Sequence, residues 1–331
     1  MTYSKRLAFM FFLLALTCKS HAAIQKISGI TVAATMDALN YALILNPPSG
    51  FGTGNVRYQP NVSALAGAQI TLYGLTLAYK TPVTGGPQRE PSEGGLSSEA
   101  KYGKTESSDI RLMLALGSKD QWFISSYFNN FKGFYIENTS EVDPSRTSSD
   151  PRLQRPDLGI ENLGATVTYV FSAESLSIPA AISQAARQTS SGGSFTLGVG
   201  FEQTRIKAES TIVPSQLSGQ YGANAQLTDG TFTTASIIPG FGYTVAGDGP
   251  FVTLLAGVGL GSQMKSYSVA GSSFSESGFA WKLIWSVSAG YHGDTLLAGA
   301  TVYNDQTSFN TGALGVTSQL YAMRIYTGIH F

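Results

Sequence analysis

The feature that most constrains the fold is a long alternating run, Gly278–His292, with the sequence GFAWKLIWSVSAGYH. A period of two indicates an extended strand whose side chains point to opposite faces. A soluble sandwich strand would show the same alternation. However, this run exceeds the usual strand of about 5–6 residues and matches the roughly 9–11 residues that a tilted strand needs to cross a bilayer. One face is apolar, with aromatic residues near both ends, as a lipid-facing wall requires.

Twelve such segments follow one another along the chain, including Ser194–Glu202 and Phe251–Ser262. Their connections are very short after the second, fourth, eighth and tenth strands, and long after the third, fifth and seventh. This sorting favours an all-β transmembrane antiparallel β-barrel of about 12 strands (range 10–14), with short periplasmic turns and long external loops. In a soluble sandwich there is no physical reason for short and long connections to lie at opposite ends of the strands.

Composition agrees with this interpretation. Charged residues make up 13% of the chain, about half of the roughly 25% found in globular proteins. The chain has 37 glycines and 11% aromatic residues, which suits a barrel with lipid outside and small side chains inside. The net charge is zero, so the basic face that nucleic-acid binding needs is missing.

The first residues have the pattern of a secretory signal peptide: a basic pair at Lys5 and Arg6, a short apolar run, and a small-x-small site at Ser20–Ala22. We predict a signal peptide over residues 1–22, cleaved after Ala22 or Ala23. An N-terminal lead over 23–37 and a barrel over 38–331 follow. Export across the inner membrane and a barrel together predict the outer membrane of a Gram-negative bacterium.

Four short motifs carry a family resemblance: Tyr58–Asn61, Phe131–Ile136, Arg155–Leu158, and Ser190–Ser194 after Gln188. In their order and rough spacing, over about Tyr58–Val213, the sequence resembles the bacterial family called domain of unknown function 4421. The resemblance implies a cell-envelope β-protein, and it implies nothing about catalysis.

Residues for enzyme chemistry are few. Only His292 and His330 remain after signal removal, beside a turn and near the chain end; a catalytic triad needs an imidazole held between a nucleophile and an acid. Two histidines without a cysteine do not favour a zinc site. The loop acids Glu141, Asp143, Asp150 and Asp157 could hold calcium or lipopolysaccharide-bound cations, but their spacing fits no calcium loop. Solvated loop charges are therefore the favoured interpretation. We therefore predict no catalytic residue, metal or cofactor, and lean against an enzyme.

The inward face of the predicted strands carries charges. A charge that faces lipid at mid-depth costs about 2–4 kcal/mol for Arg or Lys, so these groups are expected to line the lumen, either paired with one another or selecting a solute. They are Asp109, Arg111, Glu202, Lys282 and Arg324.

Ser172–Gly193 is the one long connection on the short-turn rim. Its centre could form a short helix after Pro179 and enter the lumen as a plug. In that case Gln184, Arg187 and Gln188 would meet the lumen acids. The alternatives are an ordinary periplasmic cap or a thirteenth extended segment, which would disturb the even strand count.

The last strand alternates up to the terminal Phe331, which resembles the assembly signal read by the barrel-assembly machinery. The expected partners are therefore that machinery, outer-membrane lipid and lipopolysaccharide. The predicted function is a passive pore or a binding barrel for a small or amphiphilic solute. A structural or surface-contact role and a lipid-modifying enzyme remain as alternatives.

Overall fold

The computed structural model describes residues 24–27, 29–48, 50, 54–62, 64–83, 96–312 and 314–331. The predicted signal peptide, residues 1–22, lies outside these residues. Within them, no helix is long and apolar enough to cross a membrane. Most of the described chain is strand, as the alternation predicted.

Twelve strands form the wall. They are β2 (Ile30–Asn46), β4 (Ala64–Leu72), β5 (Leu75–Pro82), β6 (Glu106–Leu116), β7 (Trp122–Ile136), β8 (Gln154–Val170), β10 (Gly192–Lys207), β11 (Leu227–Ala246), β12 (Pro250–Val269), β13 (Ser272–His292), β14 (Leu296–Thr311) and β15 (Leu314–His330). Three short strands complete the set: β1 (Ile24–Lys26), β3 (Val56–Gln59) and β9 (Ala186–Gln188).

The helices are short. They are α1 (Ser98–Tyr102), α2 (Thr139–Val142), α3 (Ile178–Ile182) and α4 (Ser218–Tyr221), with 3₁₀ turns at Ser215–Leu217 and Gly222–Gln226.

Each wall strand pairs antiparallel with the next, and β15 pairs with β2 from Gly315↔Asn46 to His330↔Thr31. The sheet is therefore a closed ring of twelve strands, which leaves no strand edge along the bonded wall. This confirms the predicted transmembrane barrel and its even strand number.

The two faces of the wall differ as the alternation predicted. On β10, Phe195, Leu197 and Val199 point outward and are exposed, while the inward positions between them are Thr196 and Gly198. The same outward apolar rows occur on every neighbouring strand. These rows form a lipid-facing belt, because no soluble protein exposes so continuous an apolar surface.

The short-turn rim is built from tight turns. At Tyr73-Gly74 both residues have positive φ, 48° and 87°, and Leu72 pairs with Leu75. This is the two-residue type I′ geometry, whose twist matches that of the flanking strands. The other three short turns also lie where the sequence placed them, at 117–121, 247–249 and 293–295.

Two external connections are shorter than predicted. The Gly- and Ser-rich stretch Val269–Glu276 is typical of a loop, but β12 and β13 meet at Ala270-Gly271, a second turn with positive φ at both residues. Likewise β14 continues to Thr311. These strand ends carry Ser, Gly, Asn and Gln rather than alternating apolar residues because they lie at or beyond the external margin of the lipid belt, so the sequence pattern ended before the strands did.

The predicted boundary of the barrel at residue 38 is wrong. The first wall strand, β2, begins at Ile30, so most of the predicted lead belongs to the barrel. Small residues such as Ala33 and Ala34, and the charge of Asp37, obscured an alternation that the structure makes plain: Ile30, Val32 and Met36 face outward.

The connection between β8 and β10 lies across the short-turn end of the barrel. It contains α3, which Ser177 caps through a hydrogen bond from Ala180 N at 3.2 Å, and β9, which pairs with β1. We call residues 171–191 together with β1 the base. Its apolar side chains Leu176 and Ile178 pack inside the barrel against Met113 and Phe123.

The external half of the barrel is filled by an apolar core. Tyr41 stacks on Phe131 with ring centroids 4.9 Å apart, and Phe232 lies 4.8 Å from Phe309. The external loops are tied into this core; for example, the Tyr221 hydroxyl donates to the Leu45 carbonyl at 2.9 Å. Large inward side chains therefore occupy this part of the barrel as they would the interior of a soluble protein.

Candidate functional site

A cavity of about 260 Å³ lies at mid-barrel, between the external apolar core and the base. Small inward residues on adjoining strands, such as Gly198, Gly240 and Gly257, leave this space open. Apolar side chains form its lower part: Phe123, Ile178, Ile182, Ile238, Leu255 and Ile284. Charged and hydroxyl groups of β6, β10, β13, β14 and β15 form the rest, so the cavity has an apolar and a polar side.

One group of charges, the Asp37 cluster, comprises Asp37, Lys80, Asp109, Arg111 and Arg324. Asp37 accepts hydrogen bonds from Lys80 Nζ and from Arg324 Nε, the latter at 3.1 Å. Arg111 donates to Asp109 from Nε at 3.0 Å and from Nη2 at 3.1 Å. Three cations face two carboxylates, so the cluster has a formal charge of +1.

The second group, the Lys282 cluster, comprises Glu202, Lys282 and Asp305. Lys282 Nζ lies 2.7 Å from Glu202 Oε2 and 2.5 Å from Asp305 Oδ1. The Thr307 hydroxyl also donates to Glu202, at 3.1 Å. One cation faces two carboxylates, so the formal charge is −1, and the two clusters balance each other.

Tyr303 connects the clusters. Its hydroxyl accepts a hydrogen bond from Arg111 Nη2 at 2.7 Å, and the guanidinium groups of Arg111 and Arg324 lie 5.1 and 5.7 Å from its ring centre. Such cation–π contacts gain strength where water is excluded. Asp305 is the next inward residue on β14, so Tyr303 places the positive and negative clusters side by side along one wall.

The structure places all five predicted lumen residues inside the barrel, in two groups. Asp109, Arg111 and Arg324 belong to the Asp37 cluster, and Glu202 and Lys282 belong to the Lys282 cluster. The cavity touches Arg111, Glu202, Lys282 and Arg324. Four of the five pair with one another, as Asp109–Arg111 and Glu202–Lys282, whereas Arg324 pairs with Asp37. Their role toward a solute stays a prediction.

Three partners were missed from the sequence. Asp37 lay in the predicted lead, and Asp305 followed the point where the strand pattern of β14 was thought to end at Val302. Lys80 could have been found from the sequence, because it continues the inward series Thr76 and Ala78 of β5. Asp37 and Lys80 lie within the lipid belt, where their outward neighbours Met36 and Tyr79 are exposed, whereas Asp305 lies between the polar outward residues Asn304 and Gln306.

The predicted plug residues lie in the base, but only Arg187 meets acids, and these are rim acids rather than lumen acids. Arg187 Nη1 lies 2.6 Å from Asp294 Oδ1, and Nη2 bonds to Asp248. Gln184 instead accepts a hydrogen bond from Gln69 Nε2 at 3.0 Å, and Gln188 bonds to the backbone of its own segment, including Ser177 N at 3.0 Å. The prediction that all three meet the lumen acids is therefore wrong, because the segment lies across the end of the barrel and does not reach its centre.

The base is also fixed on its opposite side. Lys26 of β1 lies 2.7 Å from Asp120 and donates to the Gly117 carbonyl at 3.1 Å. Ion pairs thus join the β1–β9 ribbon to three of the short turns. The segment Ser172–Gly193 is therefore a cap across the rim whose apolar side chains Leu176 and Ile178 point into the barrel.

The two histidines lie at the same end. His292 is buried with its ring centre 5.0 Å from that of Phe251 and 6.3 Å from that of His330. His330 Nδ1 lies 2.7 Å from the Thr31 hydroxyl. Phe331 is exposed, and its N–H donates to the Ile30 carbonyl at 2.9 Å next to the β15–β2 seam.

The external loop acids are paired within the protein. The Ser145 hydroxyl donates to Asp143 at 2.6 Å and lowers the pKa of that carboxyl; the backbone N–H of Thr147 does the same for Asp150 at 2.7 Å. Within the described part of the chain, no group of three acidic, histidine or cysteine side chains has the geometry of a metal site.

The family model for "Domain of unknown function (DUF4421)" matches residues 34–331. The chain belongs to this family. The match extends the resemblance first noted over Tyr58–Val213 to nearly the whole barrel. None of the curated proteins matches the sequence.

Several solved structures resemble the barrel. The outer membrane protease OmpT from Escherichia coli is similar at 9% identity and a TM-score of 0.40, covering 92% of this chain and 97% of that one. Ail, the attachment invasion locus protein of Yersinia pestis, is similar at 9% identity and a TM-score of 0.24, covering 91% of this chain and 99% of that one. The TodX monoaromatic hydrocarbon channel is similar at 9% identity and a TM-score of 0.27, covering 92% of this chain and 91% of that one.

Proposed function

We propose that this protein is an outer-membrane barrel that holds a small amphiphilic solute in its mid-barrel cavity, and that it is not a continuously open pore. The observation that carries this proposal is the position of the cavity. The described residues fill the barrel above it with the apolar core and below it with the base. An even-numbered antiparallel barrel with a lipid belt is the architecture of the bacterial outer membrane.

The size of the cavity indicates a small ligand. Its volume of about 260 Å³ is just below the roughly 300–1,000 Å³ of sites for drug-sized molecules. An apolar group of the solute would lie against Phe123, Ile178 and Ile284, where burial removes apolar surface from water. Its polar group would lie at the two charge clusters, where Arg111 and Asp305 offer groups of opposite sign.

The test uses a fluorescent probe with this chemistry, 1-aminoanthracene, which is apolar with a single amine and brightens when it leaves water. Purified protein in detergent is titrated with the probe, and the signal of the detergent alone is subtracted. We expect saturable binding near one site per barrel. Thr166→Trp should abolish it, because residue 166 lines the cavity and the indole would fill the space.

Val167→Trp is the matched control. Residue 167 neighbours residue 166 on β8 but faces lipid and is 38% exposed, so the same indole outside the barrel should leave binding unchanged. Heat-modifiable migration in gels checks that both variants fold. An absence of saturable binding by the folded wild-type protein would refute the proposal, and so would equal loss in both folded variants.

Planar-bilayer recording tests the closed state directly. We expect no steady conductance from the wild-type barrel, because side chains fill it on both sides of the cavity. A continuous ohmic conductance would favour the pore instead, and Lys282→Glu should then change the preference between cations and anions.

A further inference from the structure

The outer wall carries a second feature, at the external end of β13 and β14. The hydrogen-bonded ladder between these strands ends at Ala280↔Phe309. Above this point β13 pairs with β12 up to Ser272, while β14 pairs with β15 up to Thr311. The two strands separate, so among the described residues the edge of β13 above Ala280 has no strand partner.

Buried side chains bridge this split from within the barrel. Lys265 Nζ bonds to the Asn310 carbonyl and lies 3.3 Å from Glu276 Oε1, and the same carboxylate oxygen accepts from Gly312 N at 2.9 Å. These contacts connect the two strand ends from inside the barrel and leave a groove between them on the outer wall. Lys265 is only 6% exposed, and its charge is neutralised by Glu276.

The lipid-facing floor of the groove is polar, in contrast with the rest of the wall. On β14 the outward series runs Leu296, Ala298, Ala300, Val302 and then changes to Asn304, Gln306 and Ser308; on β15 it changes to Gln319 and Thr317. Ser308 and Thr317 share a hydrogen bond of 3.0 Å, and Gln319 Nε2 donates to Asn304 Oδ1 at 3.0 Å. Uncharged polar groups next to hydrocarbon are costly unless they have partners.

Aromatic rings stand beside this polar floor. Trp281 and Phe279 point outward from β13, 40% and 62% exposed, and Trp281 is the direct cross-strand neighbour of Ser308. The groove thus combines aromatic faces, amide and hydroxyl groups, and an open strand edge. It lies at the external margin of the apolar belt, at the depth of lipid headgroups.

We propose that this groove binds the uncharged sugar headgroup of a glycolipid in the outer leaflet. A sugar ring presents hydroxyl groups that both donate and accept, which suits the partly exposed Gln306 and Thr317, while the buried Ser308 hydroxyl holds these two side chains in place. Its C–H face can pack against the indole of Trp281. A phosphate headgroup does not fit, because the cation that lines the groove, Lys265, is buried and already paired. The acyl chains of the lipid would continue down the apolar belt.

The test measures lipid contact at Trp281. The chain has three tryptophans, so Trp122→Phe and Trp285→Phe provide a protein in which Trp281 is the single fluorophore. This protein is reconstituted in phosphatidylethanolamine vesicles that contain a small mole fraction of monogalactosyl diacylglycerol with brominated acyl chains. Bromine quenches indole at contact. We expect severalfold stronger quenching than with brominated phosphatidylethanolamine at the same mole fraction.

Gln306→Leu combined with Thr317→Val should reduce this quenching to the level of the bulk lipid. The matched control is Gln203→Leu combined with Thr233→Val on β10 and β11. That pair also faces outward and is joined by a hydrogen bond of 3.2 Å from Gln203 Nε2 to Thr233 Oγ1, but its strands remain paired there. It should leave the quenching unchanged.

Equal quenching by the two brominated lipids would overturn the proposal. So would weak quenching by both lipids together with a cross-linked dimer, since a second copy of the chain would then cover the groove. Reversal of the quenching by soluble methyl β-galactoside would support the proposal, because the free sugar would compete with the lipid headgroup for the groove. The result does not depend on the mid-barrel cavity, because 1-aminoanthracene binding is measured separately.

Discussion

The interior of the barrel differs between its external half and its middle, although one set of strands builds both. In the external half the inward residues are large and apolar, such as Leu43, Phe131 and Phe232, and they form a solid core. In the middle they are glycine, threonine and charged residues, and they leave a cavity. Hydrocarbon fixes the outward residues in the middle of the wall, so the inward residues there are free to specialise; beyond the lipid, the inward residues must supply the stability.

The largest effect should come from breaking the Asp37 cluster. Asp37→Ala leaves Lys80 and Arg324 without their shared carboxylate, and the side chains of Asp37 and Lys80 are 0% exposed. Removing one partner of a buried ion pair typically costs about 3–5 kcal/mol. Urea unfolding in detergent, followed by gel migration, should show a free energy of unfolding that is lower by that amount. A change below 1 kcal/mol would mean that water reaches the cluster and that the middle is not dry.

Truncation of apolar residues should separate the two regions. Leu43→Ala in the external core should cost about 2–5 kcal/mol, because Leu43 is fully buried and its neighbours cannot collapse. Ile284 already borders the cavity. Ile284→Ala should therefore lower the free energy of unfolding by only about 1–2 kcal/mol, the transfer free energy of the removed groups. The same unfolding assay applies, and equal losses at both positions would contradict the described difference.

The ion pairs of the base should contribute less to the stability of the barrel than the external core does. Arg187 is 12% exposed, but its partners Asp248 and Asp294 are almost fully exposed, and such pairs contribute about 0–1 kcal/mol. We expect Arg187→Gln to lower stability by no more than that, while 1-aminoanthracene enters the cavity severalfold faster in stopped-flow mixing. An unchanged entry rate would show that the probe reaches the cavity by another route.

The smallest effect should be at the external end of β6. Glu106 is paired with Lys104 at 3.4 Å, and both side chains are about 70% exposed. Glu106→Gln should therefore leave the unfolding midpoint within experimental error, because solvent screens exposed pairs. A measurable loss would mean that this loop packs against something in the membrane-embedded protein.

Much of the wall could be predicted from the sequence because lipid imposes a strict rule on alternate residues. The outward series of β10 and β13 identified both strands, and the count of twelve was correct. The rule ends where lipid ends. For this reason the external extensions of β12–β15 and the partner Asp305 were missed. The start of β2 at Ile30 and the partner Asp37 were missed because small and charged residues obscured the alternation there.

The candidate site was only half predictable. Inward charges such as Lys282 and Arg324 could be identified from their strand parity, since a charge cannot point into hydrocarbon. Which charge meets which depends on the shear of the closed ring, and that is set by contacts between strands far apart in sequence. Arg187 is an example: it could be identified as a cation of the connecting segment, but its partners, the rim carboxylates of Asp248 and Asp294, could not be predicted.

The pairing of β15 with β2 also governs how the chain must fold. Arg324 meets Asp37 across that seam, 287 positions apart, so the ring cannot close until the last strand has arrived. Until then β2 presents an unpaired edge, and Asp37 lacks one of its two cations. Contacts of such long sequence separation are formed late and slowly, which makes the seam the step at which a nascent barrel is most exposed to aggregation.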